Sequence, residues 1–381
     1  MSQEPFGDIP LFREIQKLLA ASEGPVNFEI ARQIGLAVAT QGRADGQPDA
    51  LARRTYGEAV HAAESLLGGY TRLAVTEPAR VDLVGPGWWV RATLEAWKPV
   101  LERLAHRFTA QLSGLGGEAE QPASMAAALQ QIGPLLMGIQ AGTLIGHLAK
   151  ETLERYDLPI PREDDHLFFV VDNVDGVARN YDLERETFAK WLALHSVAHH
   201  ITYSAIPWLR PYARNLVTDL IDSIEIDASD LERRFMDLQS QGMEALQQGM
   251  GAESAVPIVP TERHRSALDR LRAFLALVEG YAGEATRAVA ESLIPDAPRI
   301  GEGMARHRAS PSEGKQMLAT LLGISIDRQL ESSGATFCAA ITKLKGLPAL
   351  NRVWEAPDNL PTIEEIRDPF AWIDRVLEGS R

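Results

Sequence analysis

The stretch LALHSVAHHITY, from Leu192 to Tyr203, decides how this 381-residue sequence is interpreted. It places three histidines in a run of alanine, leucine and other residues that contains no glycine or proline. Asp182 is expected to cap the N-terminus of this segment, and Pro207 is expected to bound its C-terminus. We therefore predict a single helix that presents histidine side chains on an apolar, inward face.

His195 and His199 are four residues apart, so a helix of 3.6 residues per turn places both rings on one face. The spacing matches the two histidines of H-E-x-x-H, the zinc-peptidase pattern in which the glutamate is the general base. Here the second position is Ser196. A histidine pair without the glutamate is a weak motif, and core histidines bonded to backbone carbonyls are its more common explanation. His200 is turned about 100° away and is expected at the surface or in an interface.

Composition restricts the class of protein. Hydrophobic residues make up 45% of the chain and charged residues 24%, which is typical of a soluble globular protein. The formal charge of −14 argues against non-specific binding to nucleic acid and against docking on an anionic membrane. With Cys338 as its one cysteine, the chain cannot form an internal disulfide. Because neither a signal peptide nor a spanning segment is recognised, we expect a cytoplasmic protein without membrane or nucleic-acid partners.

The periodicity of apolar residues predicts a mainly α fold with at most a small β-sheet. The strongest strand candidate is 166–174, and 71–77 and 79–85 are weaker ones. We predict an N-terminal helical segment at 1–49, which includes a helix at 10–22. A single domain at 50–381 follows, with a helical subregion at 50–150 and the histidine helix and C-terminal region at 151–381.

Gly138, Gly142 and Gly146 are spaced four residues apart. On a helix they form a smooth stripe that lets another helix approach closely. Their spacing matches neither the Walker nor the dinucleotide-binding fingerprint, so helix packing is the predicted role.

The segment at 172–217, DNVDGVARNYDLERETFAKWLALHSVAHHITYSAIPWLRPYARNLV, resembles the core of a zincin-like metallopeptidase family. Members of that family are described as hydrolases or as associated with the biosynthesis of a deazaflavin coenzyme. The glycine-striped helix with its YDLP turn, the LVEGYAGEA segment and the C-terminal GLPALNRVWEAPDNLPTIEEIRDPFAWIDRVL are also similar to family blocks, in the same order. The resemblance covers about residues 50–380 and implies a helical zincin-like core.

The resemblance implies a zinc ion held by His195 and His199, with Glu279 of VEGYA as the third ligand. A helix-borne carboxylate is a standard zinc ligand beside two histidines. The alternative for Glu279 is an ordinary acidic residue on a helix face, although its neighbours are apolar. Tyr281 stands where the family tends to have histidine, and it is expected to bond a substrate or to cover the site.

Ser196 changes what the family mechanism allows. In a complete zincin the motif glutamate accepts a proton from water and passes it to the leaving amine, and a serine hydroxyl can do neither well. Loss of a general base typically reduces the rate by about 10²- to 10⁴-fold. The first hypothesis is therefore a zinc metallopeptidase-like hydrolase with a degenerate H-S-x-x-H motif, impaired in peptide hydrolysis or a pseudoenzyme, with an unidentified peptide or small-molecule substrate. On this hypothesis, Ser196→Glu should raise hydrolysis.

Two alternatives remain open. The chain performs an easier hydrolysis with another carboxylate as the base, for which Glu225, Asp222 and Glu284 are candidates. Otherwise it is a non-catalytic helical scaffold or interaction protein without bound metal.

Overall fold

The computed structural model describes residues 24–74, 78–114, 123–158, 162, 166–225, 258–259, 261–310, 312–321 and 328–379. The predicted helix at 10–22 lies outside these residues. The fold is mainly α, as predicted: 77% of the described residues are helical, and the strands among them form one two-stranded parallel sheet. Among the described residues, no helix has both the length and the apolar character needed to cross a membrane.

The first part of the chain is built from four helices and two strands. In order they are α1 (Phe28–Thr40), α2 (Ala50–Thr71), β1 (Arg80–Val84), α3 (Pro86–Gly114), α4 (Ala123–Ala149) and β2 (His166–Val170).

The second part is helical throughout its described residues. The longer helices are α5 (Val171–Asn180), α6 (Arg185–Ala205), α7 (Leu209–Asp222), α8 (Glu262–Leu293), α9 (Ala297–Ala309), α10 (Glu313–Leu321) and α11 (Arg328–Lys345). Short elements follow: α12 (Leu347–Leu350), 3₁₀ turns at Asn351–Trp354 and Pro357–Asn359, α13 (Ile363–Arg367), α14 (Pro369–Trp372) and a π-turn at Ile373–Leu377.

The two strands form a parallel ladder that pairs Arg80 with His166 and Val84 with Val170. The strand predicted at 79–85 is confirmed. The strand predicted at 166–174 stops at Val170, because Val171, Asp172 and Asn173 form the first turn of α5 instead. The strand predicted at 71–77 is wrong at its start, since Thr71 is the last residue of α2, and residues 75–77 are outside the described part.

The start of the histidine helix also differs from the prediction. Helix α6 begins at Arg185, and Glu184 is its N-cap, accepting hydrogen bonds from Glu186 N at 3.0 Å and Thr187 N at 2.7 Å. Asp182 lies in the connection before it with a φ of 51°. Glutamate is not a favoured cap residue, so the two-methylene reach of Glu184 was not anticipated.

The glycine stripe of α4 packs against α1. A Cβ atom on Gly142 would lie 2.5 Å from the carbonyl oxygen of Ala31, and one on Gly138 would lie 2.4 Å from that of Asn27. The helix backbones therefore touch, as the spacing of the glycines predicted. This contact joins α1 to the rest of the fold, and the division of the chain at residue 49 stays a prediction.

Three apolar clusters form the core, and α8 takes part in two of them. Residues of α8 such as Leu277 pack with α7, α11 and the C-terminal turns, whereas Ala282 and Ala285 pack with α2, α6 and α9. The remaining cluster joins α1, α3, α4 and the sheet. Glu279 lies on α8 where the first two clusters meet.

The tryptophans and prolines of the C-terminal block have packing and turn roles. Trp372 is fully buried and donates through Nε1 to the carbonyl of Asn359 at 2.8 Å. Trp354 is 5% exposed, and Pro357 and Pro369 each begin a short helical element.

Candidate metal centre

One face of α6 carries four ring side chains at intervals of four residues: Trp191, His195, His199 and Tyr203. The repeat of four keeps them on a single stripe. The stripe is inside the protein, since His195 is 2% and His199 3% exposed. Helix α6 therefore holds the imidazoles of His195 and His199 in the protein interior.

Helix α8 brings a carboxylate to the same place. Oε1 of Glu279 lies 3.1 Å from Nε2 of His195, and Oε2 lies 3.2 Å from Nε2 of His199. One ligand atom from each of the three residues lies within 4.8 Å of the others. The three residues could therefore hold a metal ion. The two distances from Glu279 to the histidines are close to the about 3.4 Å that separates the ligand atoms of a tetrahedral metal with ligands at 2.0–2.1 Å.

Aromatic rings hold both imidazoles. Trp191 stacks on His195 with centroids 5.6 Å apart and planes within 10°. Tyr156 stacks on His199 at 5.1 Å, and Tyr203 stacks on the other side of Tyr156 at 5.6 Å. These contacts restrict ring rotation, and the two imidazole planes meet at 67°.

A cation of the chain lies beside these ligands. Arg308, near the end of α9, donates to Oε1 of Glu279, and its second terminal nitrogen lies 3.1 Å from Nε2 of His195. No local sequence pattern marks this residue as part of the site, because 113 positions separate it from His195. The guanidinium neutralises the carboxylate in the metal-free protein.

The charges shift the pKa values of the three residues in different directions. Burial raises the pKa of Glu279, but Arg308 and His195 oppose burial and hold that pKa well below its ordinary range. Burial lowers the pKa of His195, but the charge of Glu279 outweighs it and raises that pKa to about 9. Burial dominates at His199, whose pKa is lowered. These shifts favour a charged imidazole at His195 and a neutral one at His199 at neutral pH.

The hydroxyl of Ser196 is hydrogen-bonded to a second carboxylate, which the sequence analysis did not predict. Ser196 donates to Oε2 of Glu154 at 2.6 Å, and both residues are fully buried. Burial raises the pKa of Glu154, but its contacts with His195 and Ser196 outweigh burial and lower it. Asp157 nearby has its pKa raised to about 6 by burial and by the charge of Glu154. Glu154 is therefore the stronger acid of this pair and loses its proton at a lower pH than Asp157 does.

Comparison with known proteins gives the family. The model of the zincin-like metallopeptidase family matches residues 26–373. This chain belongs to that family. The fold is also similar to the crystal structure of a protein from Chloroflexus aurantiacus described as a "putative hydrolase with a novel fold": TM-score 0.68, 25% identity, 92% of this chain and 98% of that chain covered. No curated protein matches the sequence.

Within this zincin-like chain, several sequence-based expectations fail. Tyr281 does not reach the histidines: its hydroxyl donates to Oδ1 of Asn351 at 2.8 Å and its ring packs edge-on against Trp354. His200 is buried at 2% exposure, because the face of α6 turned away from the ligands also packs inside the protein.

Two of the carboxylates considered as substitute bases are held in ion pairs elsewhere. Asp222 pairs with Arg103, and Glu284 pairs with Arg287.

Proposed function

We propose that this chain is a zinc-binding hydrolase of the zincin type that acts in the cytoplasm on a carbonyl bond of a peptide or small molecule, and that its peptide hydrolysis is slow. The observation that carries the proposal is the convergence of His195, His199 and Glu279. Their ligand atoms lie within 4.8 Å of one another in a buried place between two helices. Two imidazoles and a carboxylate are the donor set of many catalytic zinc sites, which leave the fourth position open.

The chain's own atoms fit this role. Nδ1 of His195 and Nδ1 of His199 make no hydrogen bond in the described part of the protein, and both Nε2 atoms face Glu279. Coordination through Nε2 is therefore the expected mode. A zinc ion held there would supply Lewis-acid activation of a carbonyl group and of water.

Arg308 has a second role in this proposal. Its guanidinium contacts Glu279 and lies 3.1 Å from Nε2 of His195, so it must move away when these atoms hold a metal cation, because like charges repel. It would remain beside the site as a donor for an anionic oxygen of the substrate, an interaction for which guanidinium is well suited.

Slow peptide hydrolysis follows from position 196. The hydroxyl of Ser196 is bonded to Glu154 and does not titrate near neutral pH. No side chain at that position can therefore carry a proton to a leaving amine. An ester is affected less, because its leaving alkoxide needs less protonation than an amine does. We expect the ratio of the ester hydrolysis rate to the rate for the matched amide to be larger here than in a zincin that has the glutamate.

Metal analysis tests the proposal. Protein purified without a histidine tag should contain about one zinc per chain, and His195→Ala should lose it. The control is His61→Ala, an exposed histidine of α2 that should leave the zinc content unchanged. Metal-free wild-type protein that stays metal-free after incubation with zinc would refute the proposal.

The second candidate is a metal-free helical scaffold, and Arg308 favours it. Its guanidinium already neutralises Glu279 and lies 3.1 Å from Nε2 of His195. The variant Arg308→Met distinguishes the zinc-binding hydrolase from the metal-free scaffold. If the site binds zinc, removing the competing cation should tighten zinc binding by tenfold or more. Arg306→Met is the matched control, because Arg306 is exposed and pairs with Glu302. A scaffold would bind zinc in neither variant and would lose stability in Arg308→Met alone.

A further inference from the structure

Glu154 lies in the connection between α4 and β2, where the backbone is fixed. It forms an isolated antiparallel bridge with Phe169, and the neighbouring carbonyl of Leu153 accepts from Val170 N at 2.8 Å. Its side chain is fully buried. A carboxylate is costly to bury without partners, so its contacts need an explanation.

Only one of its two oxygens is satisfied. Oε2 accepts from the hydroxyl of Ser196 at 2.6 Å and from Tyr156 N at 3.1 Å. Oε1 makes no hydrogen bond within the described part of the chain, and it lies 3.6 Å from Nδ1 of His195. That nitrogen is likewise without a hydrogen bond there. Two buried polar atoms of opposite character thus face each other just beyond bonding distance.

The alternative is a structural acid that merely joins Ser196 to the backbone of Tyr156. That role would use Oε2 alone and would not require a second oxygen directed at an imidazole. A histidine that binds metal through Nε2 usually donates its other N–H to a carboxylate or carbonyl, which fixes the ring and its tautomer. Oε1 is in the right place for that task.

We propose that Glu154 acts as a positioning residue which holds the imidazole of His195 through Nδ1; it does not replace the motif glutamate as a general base, because it faces the side of the ring opposite Nε2. The zincin pattern places a carboxylate on the residue after the first histidine. Here a serine stands at that position and donates to a carboxylate from another segment. The expected effect of Glu154 on zinc binding rests on the proposed function, whereas the pairing of Glu154 with His195 does not.

Zinc affinity tests the positioning role. The variant Glu154→Gln keeps the size of the side chain but removes its charge, and zinc should bind about 10- to 100-fold more weakly, the usual loss for such outer partners. The matched control is Glu151→Gln. Glu151 lies in the same connection and also accepts a hydrogen bond from a serine, Ser312, so its variant should bind zinc within about twofold of wild type. The absorption spectrum of the Co²⁺-substituted protein should change in Glu154→Gln alone.

A measurement without metal separates this inference from the proposed function. In proton NMR of the metal-free protein, the Nδ1–H of His195 should give a downfield resonance that Glu154→Gln shifts or abolishes and Glu151→Gln leaves in place. Ser196→Ala, which frees Oε2, should shift the same resonance if Glu154→Gln does not fold. If wild-type protein binds no zinc but the resonance responds to Glu154, the proposed function fails and the pairing stands. An unaltered resonance, or unchanged zinc affinity in a folded Glu154→Gln, would overturn the inference.

Discussion

At the scale of single residues, the site is organised around two carboxylates that approach His195 from opposite sides. Glu279 faces Nε2 at 3.1 Å, and Glu154 faces Nδ1 at 3.6 Å. An imidazole between two acids is stabilised in its charged form, which explains why His195 and His199 titrate differently although both are buried.

The space occupied by Glu154 changes the expectation for Ser196→Glu. The sequence alone suggested that this change would raise hydrolysis. The structure places the buried carboxylate of Glu154 2.6 Å from the serine hydroxyl. A glutamate at position 196 would therefore be repelled by the charge of Glu154 and would overlap it sterically. We expect Ser196→Glu to lower the melting temperature by several degrees and to give no gain in ester or peptide hydrolysis.

The double variant Glu154→Ala with Ser196→Glu removes that conflict. It should recover most of the lost stability in thermal unfolding, and its zinc-loaded form should hydrolyse peptides faster than wild type. Equal melting temperatures for Ser196→Glu and wild type would show that the two carboxylates do not compete for one place.

Zinc binding should depend on pH through His195. Its pKa of about 9 means that below this pH zinc must displace a proton from the ring, whereas His199, with a lowered pKa, is already neutral. Between pH 6.5 and 9, the apparent binding constant should therefore rise about tenfold per pH unit, and it should level off above pH 9. Calorimetry in buffers of different ionisation enthalpy should detect about one proton released per zinc at pH 7.5.

The raised pKa of His195 also makes the stability of the protein without metal depend on pH, and this stability falls as the pH rises. A raised pKa contributes stability that is fully present below the ordinary value of 6.5 and is lost as the pH rises through about 9. The free energy of unfolding without metal should fall across this interval. His195→Ala should show neither the fall nor the proton release.

At the scale of helices and strands, the sequence was most informative where one element contains the whole pattern. The spacing of His195 and His199 and the glycine stripe of α4 are each local to one helix, so periodicity sufficed. Glu279 was found through its similarity to a family segment. Glu154 and Arg308 were missed because they reach the site from 42 and 113 positions away, and no local pattern marks them.

The glycine stripe gives a prediction at this scale. Gly142→Ala puts a Cβ atom 2.5 Å from backbone oxygen on α1, and neither backbone can yield without separating the helices. We expect a loss of about 1–3 kcal/mol in the free energy of unfolding, measured with urea. Gly57→Ala in α2 is the control, since its Cβ would meet nothing within 4 Å and the change should stabilise that helix by up to about 1 kcal/mol. Equal effects of the two changes would contradict the close approach.

At the scale of the whole molecule, the ligands tie together distant parts of the chain. His195 and Glu279 are 84 positions apart and belong to two helices, α6 and α8, that pack in one apolar cluster. An unfolded chain cannot bring them together in advance, so zinc should bind the folded state alone. At a free zinc concentration of 100 times Kd, the free energy of unfolding should rise by about 2.7 kcal/mol, and in His195→Ala it should not change. A zinc effect of equal size in both proteins would indicate binding elsewhere.

The stack of Trp191 on His195 gives the protein an optical reporter of its own centre. An indole in face-to-face contact with an imidazole is quenched by the protonated ring more than by the neutral one, because the charged ring accepts an excited electron more readily. The difference in emission between the wild type and Trp191→Phe would therefore follow the charge of a single ring 5.6 Å away, without any added dye. Loading, proton release and displacement of the guanidinium could then be timed in one stopped-flow trace.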